Sequence, residues 1–345
     1  MKKNSLKKEG GFTPGEAALW TGLTLLTFML CVSLGSVNIP FRDIWRSVFG
    51  GEISRESYRA IILWTRLPRV LCAGLMGAAL SLCGASMQGL LRNPLADGST
   101  LGVSSGAALG AALSIVLGVT VPGLETAGPA AMAMLFAFGS LLLILALAWG
   151  IDRNFATRNI ILIGVVFTML VSSLLSILIT FSGEKLRSVT YWTMGSLSGK
   201  NYEQAAVLTG GLLLFGSVLL SLSRELNAFA VGEENALHIG VPVRRVKLTV
   251  MICASALIGI CVSIGGSVAF VGLIIPHTVR LAAGPNHRKL LPLSAFAGAV
   301  FLMLADLAAR SLLSPLELPI GVVTSLIGAV VFIVIFYRSR KEGVL

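Results

Sequence analysis

Charge is the first thing this chain is short of. Of its 345 residues, 12% are Asp, Glu, Lys or Arg, against about 25% in a soluble domain. No polar stretch is long enough to enclose a core, which excludes a sizeable soluble domain. Histidine is scarcer still: His238, His277 and His287 are the three. None pairs at ligand spacing, so no haem or zinc site is expected within the chain. The five cysteines, Cys31, Cys72, Cys83, Cys253 and Cys261, sit in apolar runs and form no CxxC pair. They read as small buried residues, not as a disulfide framework or metal ligands. A phosphate-binding loop is missing too. The one Gly-Lys step, Gly199-Lys200, lacks both the earlier glycine and the following Ser or Thr, so ATP hydrolysis is not expected on this chain. No paired acid and base lie at depth in an apolar run, which weighs against an intramembrane enzyme. Nor does any run carry an ionisable residue near its centre, Asp306 lying toward an end. An ion-coupled secondary transporter would want one there.

What the chain has in quantity is hydrocarbon. Hydrophobic residues make up 55%, in runs near twenty residues that recur along the whole length, the mark of membrane spans. About ten spans are expected, near 17–37, 68–91, 101–121, 128–150, 159–181, 205–223, 248–263, a short one ending at 277–280, 291–309 and 319–337. The chain is thus an all-α polytopic membrane protein whose surroundings are the lipid bilayer. A basic tail, 1–16, precedes a single transmembrane domain, 17–337, and a second basic tail, 338–345, follows it. The first run exceeds a signal-peptide core and no A-x-A site ends it, so it reads as an uncleaved span. The net charge of +11 is dispersed between spans as a topology signal and forms no nucleic-acid patch. With the N-terminus cytoplasmic, most of the 27 Lys and Arg fall inside, which puts both termini on the cytoplasmic side. The outward remainder concentrates just before the second span. The aromatic and charged mix of 38–65 suits a helix at the membrane surface, and 190–195 reads as a second, short interfacial helix.

Residues 66–106 organise the rest. Pro68 sits where a helix can start, since its missing N–H would be unpaired there anyway. Gly74, Gly77, Gly84 and Gly89 leave grooves through which membrane helices pack backbone to backbone. A polar corner with Asn93, Pro94 and Asp97 then reads as a tight turn into the next span. Further on, 263–267 breaks the helical pattern, and the short span after it reads as a cavity-lining element. Gly232 and Gly240 bracket one to two helical turns that Pro242 ends.

These motifs, taken together, resemble the FecCD family of permease subunits of ABC importers for iron-siderophores, haem and cobalamin. The resemblance rests on Arg66-Leu67-Pro68-Arg69, on Gln88-Gly89-Leu90 with Arg92-Asn93-Pro94-Leu95-Ala96-Asp97, and on Leu101-Gly102-Val103-Ser104-Ser105-Gly106. It continues through Tyr191-Trp192-Thr193-Met194-Gly195, Phe270-Val271-Gly272-Leu273-Ile274-Ile275-Pro276-His277, and His287-Arg288 ahead of Leu290-Leu291-Pro292. Leu304-Ala305-Asp306 and Glu317-Leu318-Pro319-Ile320-Gly321-Val322-Val323-Thr324 complete it. One departure is Gly98-Ser99-Thr100, where the family usually shows Pro-Gly-Leu.

The resemblance implies the architecture of a type II ABC importer permease in a prokaryotic cytoplasmic membrane. It implies an ABC ATPase dimer that holds ATP and Mg, an extracytoplasmic substrate-binding protein, and a second permease copy or a sister permease. The implied cargo is a ferric siderophore, with haem or cobalamin as alternatives. In the loop 228–247 it implies a coupling helix against the ATPase, with contacts from Glu233, Glu234, Ala236, Leu237, Ile239 and Gly240; a solvated surface helix is the bland alternative. Arg66, Arg69 and Arg310 are implied to pair with glutamates of the binding protein. Arg310 also stands four residues after Asp306, where a local ion pair would account for it. The fifth and tenth spans are implied to line the path, with Thr157 and Arg158 at an inner gate. Asn159, Gly164, Thr168, Ser172, Ser173 and Ser176 would place small and polar groups along it. Packing between helices explains the same residue types equally well. His277 reads as a satisfied structural group.

Overall fold

The computed structural model describes residues 11–35, 37, 39–51, 53–98, 101–119, 128–153 and 155–341. Seven helices among them are long and apolar enough to cross a membrane. They are α1 (Pro14–Ser33), α3 (Glu56–Leu91), α5 (Gly128–Ile151), α6 (Thr157–Thr180), α8 (Tyr202–Ser221), α11 (Val243–Gly265) and α13 (His287–Ser311). Three further apolar helices complete the expected spans: α4 (Val103–Leu117), α12 (Val271–Ala283) and α14 (Ile320–Lys341). Four more are short: α2 (Phe41–Phe49), α7 (Leu186–Met194), α9 (Ser223–Ala230) and α10 (Glu233–His238). Sequence patterning anticipates the spans, a short helix around 190–195 and the α10 turns. It does not separate α9 from the polar stretch around it. Ser99, Thr100 and residues 1–10 and 342–345 lie outside the described residues, and with them much of the departure at 98–100 and of the two tails.

Helix α3 is the axis of the fold. It packs on α11, α12 and α13, and almost every residue from Pro68 to Leu91 is buried. Two glycines make this possible. A Cβ on Gly77 would overlap the Gly298 carbonyl of α13, and one on Gly84 would overlap the Gly272 carbonyl of α12. At these two crossings the backbones themselves touch, as small residues permit in membranes.

Pro68 does not start the second span. The helix begins at Glu56 and passes through a π-helical stretch, Ile61–Arg66, before Pro68. In that register Leu67 donates to the Ile62 carbonyl five residues back. Pro68, next in line, has no N–H to give Leu63. The Leu63 carbonyl instead accepts the Tyr202 hydroxyl at 2.6 Å. Pro276 in α12 poses the same problem for the Gly272 carbonyl four residues earlier, and Gln88 Nε2 donates to it at 3.3 Å and to Leu273 at 2.9 Å. Side chains from other helices thus satisfy the carbonyls that proline strands, as a low-dielectric setting demands.

The corner after α3 is not a tight turn between two full spans. Arg92 closes α3 in the left-handed region, at φ 48°. Asn93 Oδ1 accepts the Leu95 N–H at 2.9 Å, and its carbonyl accepts Ala96 N–H at 3.0 Å. The chain then runs back inward, for Gly98 packs on Ile258, which lies about 22 Å along α11 from its start at 1.5 Å per residue. Helix α4 therefore begins at depth, which is why it is short. Irregular backbone at such depth survives where it lines a cavity. Asp97, Gly98 and Ser104 line one of about 260 Å³ with Ser267, Val268, Ala269 and Phe270 from the break before α12 and Gly272 and Leu273 from its first turn. The expectation that the broken eighth span lines a cavity agrees with this. Asp97 reaches this cavity from the re-entrant corner, not from a span, so the expectation that no span carries an ionisable residue near its centre is not touched by it.

The break itself is tied down. Ser196 N–H donates to the Gly265 carbonyl at 2.9 Å and Ile320 N–H to the Gly195 carbonyl at 3.1 Å. The ends of α7 and α11 and the start of α14 meet there. At the end of the bundle that holds α10, Lys289 Nζ of α13 reaches Glu16 Oε1 of α1 at 2.5 Å.

Candidate functional site

Helix α10 is a knuckle of six residues between two glycines whose φ values are +122° (Gly232) and +88° (Gly240). Two acidic residues, Glu233 and Glu234, occupy its first turn, where negative charge suits the helix dipole. At its far end Val241 N–H bonds the Ala236 carbonyl at 2.9 Å and Gly240 N–H the Leu237 carbonyl at 3.0 Å. That pair of bonds is a Schellman closure, which needs the left-handed residue that Gly240 provides.

The knuckle has two faces. Leu237 is 58% exposed and Ile239 71% exposed, and Glu234 is exposed beside them. Two large aliphatic side chains held out of a short polar helix are what a partner's groove would take up. Ala236 is fully buried and Glu233 turns inward, so these two expected contacts are instead the inner seam. Gly240 is exposed but its role is set by backbone.

Glu233 joins three elements. Its Oε2 lies 2.6 Å from Lys247 Nζ of α11, and its Oε1 accepts the Thr157 hydroxyl at 2.7 Å. Lys247 is fully buried and also donates to the Phe155 carbonyl at 2.9 Å. Phe155 itself is buried, with φ 54°, in the loop before α6. Asp152 accepts the Ala156 N–H at 3.0 Å and so helps fix that loop. Arg244 stacks over Trp149 at 4.2 Å and Phe155 at 6.0 Å. Thr157 is the first residue of α6, so one carboxylate ties α10 to both α6 and α11. Of this network, sequence reasoning picked Glu233 and Thr157 separately and missed Lys247. A lone lysine four residues into a membrane helix was the available signal, since such a charge needs a buried partner.

Helix α6 presents an open face. Leu162, Val166, Met169, Leu170 and Ile177 are each more than half exposed. Gly164 is buried, Arg158 and Ser172 are exposed, and Asn159 and Thr168 are part-buried. Ser173 and Ser176 hydroxyls bond back to Met169 and Ser172 carbonyls of their own helix at 3.1 and 2.9 Å. These two serines therefore do not join neighbouring helices within the chain. Helix α14 shows a similar row, with Leu326, Val330 and Ile333 exposed. Both helices contact α7.

At the opposite end, the three arginines expected to face a partner are buried, each no more than 6% exposed. Arg66 donates to the Val32 carbonyl at 2.9 Å, to Ser33 at 2.8 Å and to Val37. Arg310 donates to the Cys31 carbonyl and lies 3.6 Å from Asp306. Two cations thus cap the C-terminal carbonyls of α1, where the dipole favours them. Arg69 chelates Asp306 through Nε at 3.0 and 3.1 Å and pairs with Glu317 through Nη1 at 3.0 Å. The reading of these arginines as a docking surface is corrected accordingly. It placed Arg66 and Arg69 at a helix N-terminus, where positive charge has no local reason. The helix in fact continues ten or more residues upstream, from Glu56, and the reasons lie on α1, α13 and the loop before α14. The local pairing of Arg310 with Asp306 is present in the structure.

Among the described residues no group of three His, Cys, Asp or Glu is placed to hold a metal ion. The arrangement is an exposed apolar knuckle linked through one ion pair and its hydrogen bonds to a long helix.

Comparison with known proteins gives a consistent picture. The model of the FecCD transport family matches residues 23–338. An uncharacterised ABC transporter permease protein of Bacillus subtilis, YvrB, is 40% identical over 95% of this chain and 95% of its own length. The molybdate import system permease MolB of Haemophilus influenzae is 38% identical over 93% of this chain and 96% of its own. A solved structure described as an inward-facing metal-chelate type ABC transporter superposes with a TM-score of 0.82, at 35% identity, over 94% of this chain and 100% of that one.

Proposed function

We propose, from the premise that this chain belongs to the FecCD transport family and is the multi-pass permease of an ABC importer, that it carries a ferric siderophore inward across a prokaryotic cytoplasmic membrane. Both termini lie on the cytoplasmic side. ATP and Mg bind a separate ATPase dimer, and an extracytoplasmic binding protein delivers the cargo. A second permease copy, or a sister permease, covers the open faces of α6 and α14, and the path runs between them. Residues Thr157, Arg158, Asn159, Thr168 and Ser172 lie along it.

The observation that carries this reading is the knuckle. Leu237 and Ile239 stand exposed on α10 while Glu233 holds the same helix to Lys247 and Thr157. Closure of the ATPase beneath α10 would reach α6 by that route. The metal-chelate description of the similar structure supports an iron chelate. Haem and cobalamin are alternatives of like chemistry, and molybdate is the cargo named for one relative.

The test is reconstitution with the cognate ATPase and binding protein in proteoliposomes, with labelled ferric siderophore, haem, cobalamin and molybdate as competing cargoes. ATP-dependent uptake of the siderophore is expected, and Leu237→Pro should abolish it while the membrane helices stay folded. Uptake driven by an ion gradient without the ATPase would overturn the reading, and preferential uptake of another cargo would overturn its siderophore part.

A further inference from the structure

At the knuckle end of the bundle a second cavity, of about 490 Å³, opens between the last turn of α3, the end of α12 and the corner leading into α13. Its lining includes Arg92, His277, Arg280 and His287 and no carboxylate. Among the described residues the Arg92 and Arg280 guanidinia have no ion-pair partner. Two imidazoles border the cavity as well, and His277 Nδ1 is buried without a hydrogen-bond partner. The His287 ring is held in place, with Nδ1 2.9 Å from Asn227 Oδ1, and the residue is 3% exposed.

A simpler account would have both arginines serve helix C-termini, since Arg92 follows α3 and Arg280 lies in the last turn of α12. Such service consists of hydrogen bonds to terminal carbonyls. Arg66 and Arg310 make those bonds at the other end of the molecule, and Arg92 and Arg280 make none among the described residues. Two cations facing one cavity with no anion between them repel each other, and a bound anion would relieve that.

We propose that this cavity is a binding site for a phosphoryl oxyanion, either the headgroup phosphate of an anionic phospholipid or free phosphate. The planar guanidinium fork matches such oxygens two at a time. Basic pockets between membrane helices at the level of the headgroups bind anionic lipid, and the volume falls in the usual range for small-ligand sites. The inference does not depend on the identity of the cargo.

The experiment uses the full chain, delipidated in detergent, with dioctanoyl phosphatidylglycerol, dioctanoyl phosphatidylcholine and inorganic phosphate as probes, followed by native mass spectrometry and calorimetry. Saturable binding of phosphatidylglycerol or of phosphate is expected. In Arg92→Gln and Arg280→Gln the apparent Kd should rise about tenfold, with Arg280→Lys retaining part of the affinity. Unchanged melting of the variants guards against misfolding, and Arg92, exposed beyond the helix end, is the safer of the two. Phosphatidylglycerol binding that phosphate does not displace assigns the lipid. Displacement by phosphate assigns the free anion. Equal affinity in the variants, equal binding of phosphatidylcholine, or no saturable binding of any probe overturns the proposal.

Discussion

Lys247 Nζ lies 2.6 Å from Glu233 Oε2, with the lysine wholly buried and the glutamate at the root of a knuckle whose other face is exposed. A fully buried ammonium is tolerable because it has both this carboxylate and the Phe155 carbonyl. Removing one partner of such a pair costs about 3–5 kcal/mol, whereas replacing both by apolar groups is often neutral. Glu233→Ala should therefore lower the melting temperature of the purified protein sharply, and Glu233→Leu with Lys247→Met should restore it. The restored double variant would still lack the hydrogen bond to Thr157, so its ATP-driven transport should stay impaired. Full transport in a stable double variant would show that the link from α10 to α6 is not needed.

The outer face of α10 should behave in the opposite way. Leu237→Glu and Ile239→Glu change exposed side chains, and surface substitutions usually stay within about 0.5 kcal/mol. Melting should hardly move, while co-purification with the ATPase partner should be lost. Retention of the partner by both variants would place the ATPase contact elsewhere.

The ten spans and the knuckle were legible in the sequence because hydrocarbon length and the Gly232, Gly240 and Pro242 punctuation are local signals. Glu233 and Thr157 were each visible on those terms. What joins them was not, since Glu233 is distant from Thr157 in the chain and only packing brings the two into hydrogen-bond contact, with Lys247 on the other carboxylate oxygen. The arginine motif shows the converse failure. Arg66 and Arg69 read as outward charges because Pro68 looked like a helix start. The π-helical stretch at Ile61–Arg66 absorbs that proline, and no sequence pattern announces a π turn. The inward path of Asp97 was hidden for a similar reason: the depth of a corner depends on its neighbours, here Ile258.

Arg66→Glu tests the corrected role of the arginine cluster. It would set a carboxylate against the Val32 and Ser33 carbonyls that the guanidinium now caps. An unpaired buried charge is costly, so the variant should lose thermal stability even with no binding protein present. Arg66→Lys should keep part of it, a point charge replacing the fork. Normal melting of Arg66→Glu would return this residue to the surface role it was first assigned.

The last prediction concerns the stranded carbonyl of Leu63. Tyr202 donates to it at 2.6 Å because Pro68 cannot. Tyr202→Phe deletes that donor and should cost about 1 kcal/mol, the usual worth of a hydrogen bond whose loss leaves an acceptor unpaired. Pro68→Ala restores an N–H in register for the same oxygen. In that background the hydroxyl is redundant, so the second substitution should cost much less. A double-mutant cycle by thermal or denaturant melting isolates the coupling. Additive effects would mean that Tyr202 stabilises α3 through its ring, which meets Trp64 edge-on at 6.3 Å, and not through its hydroxyl.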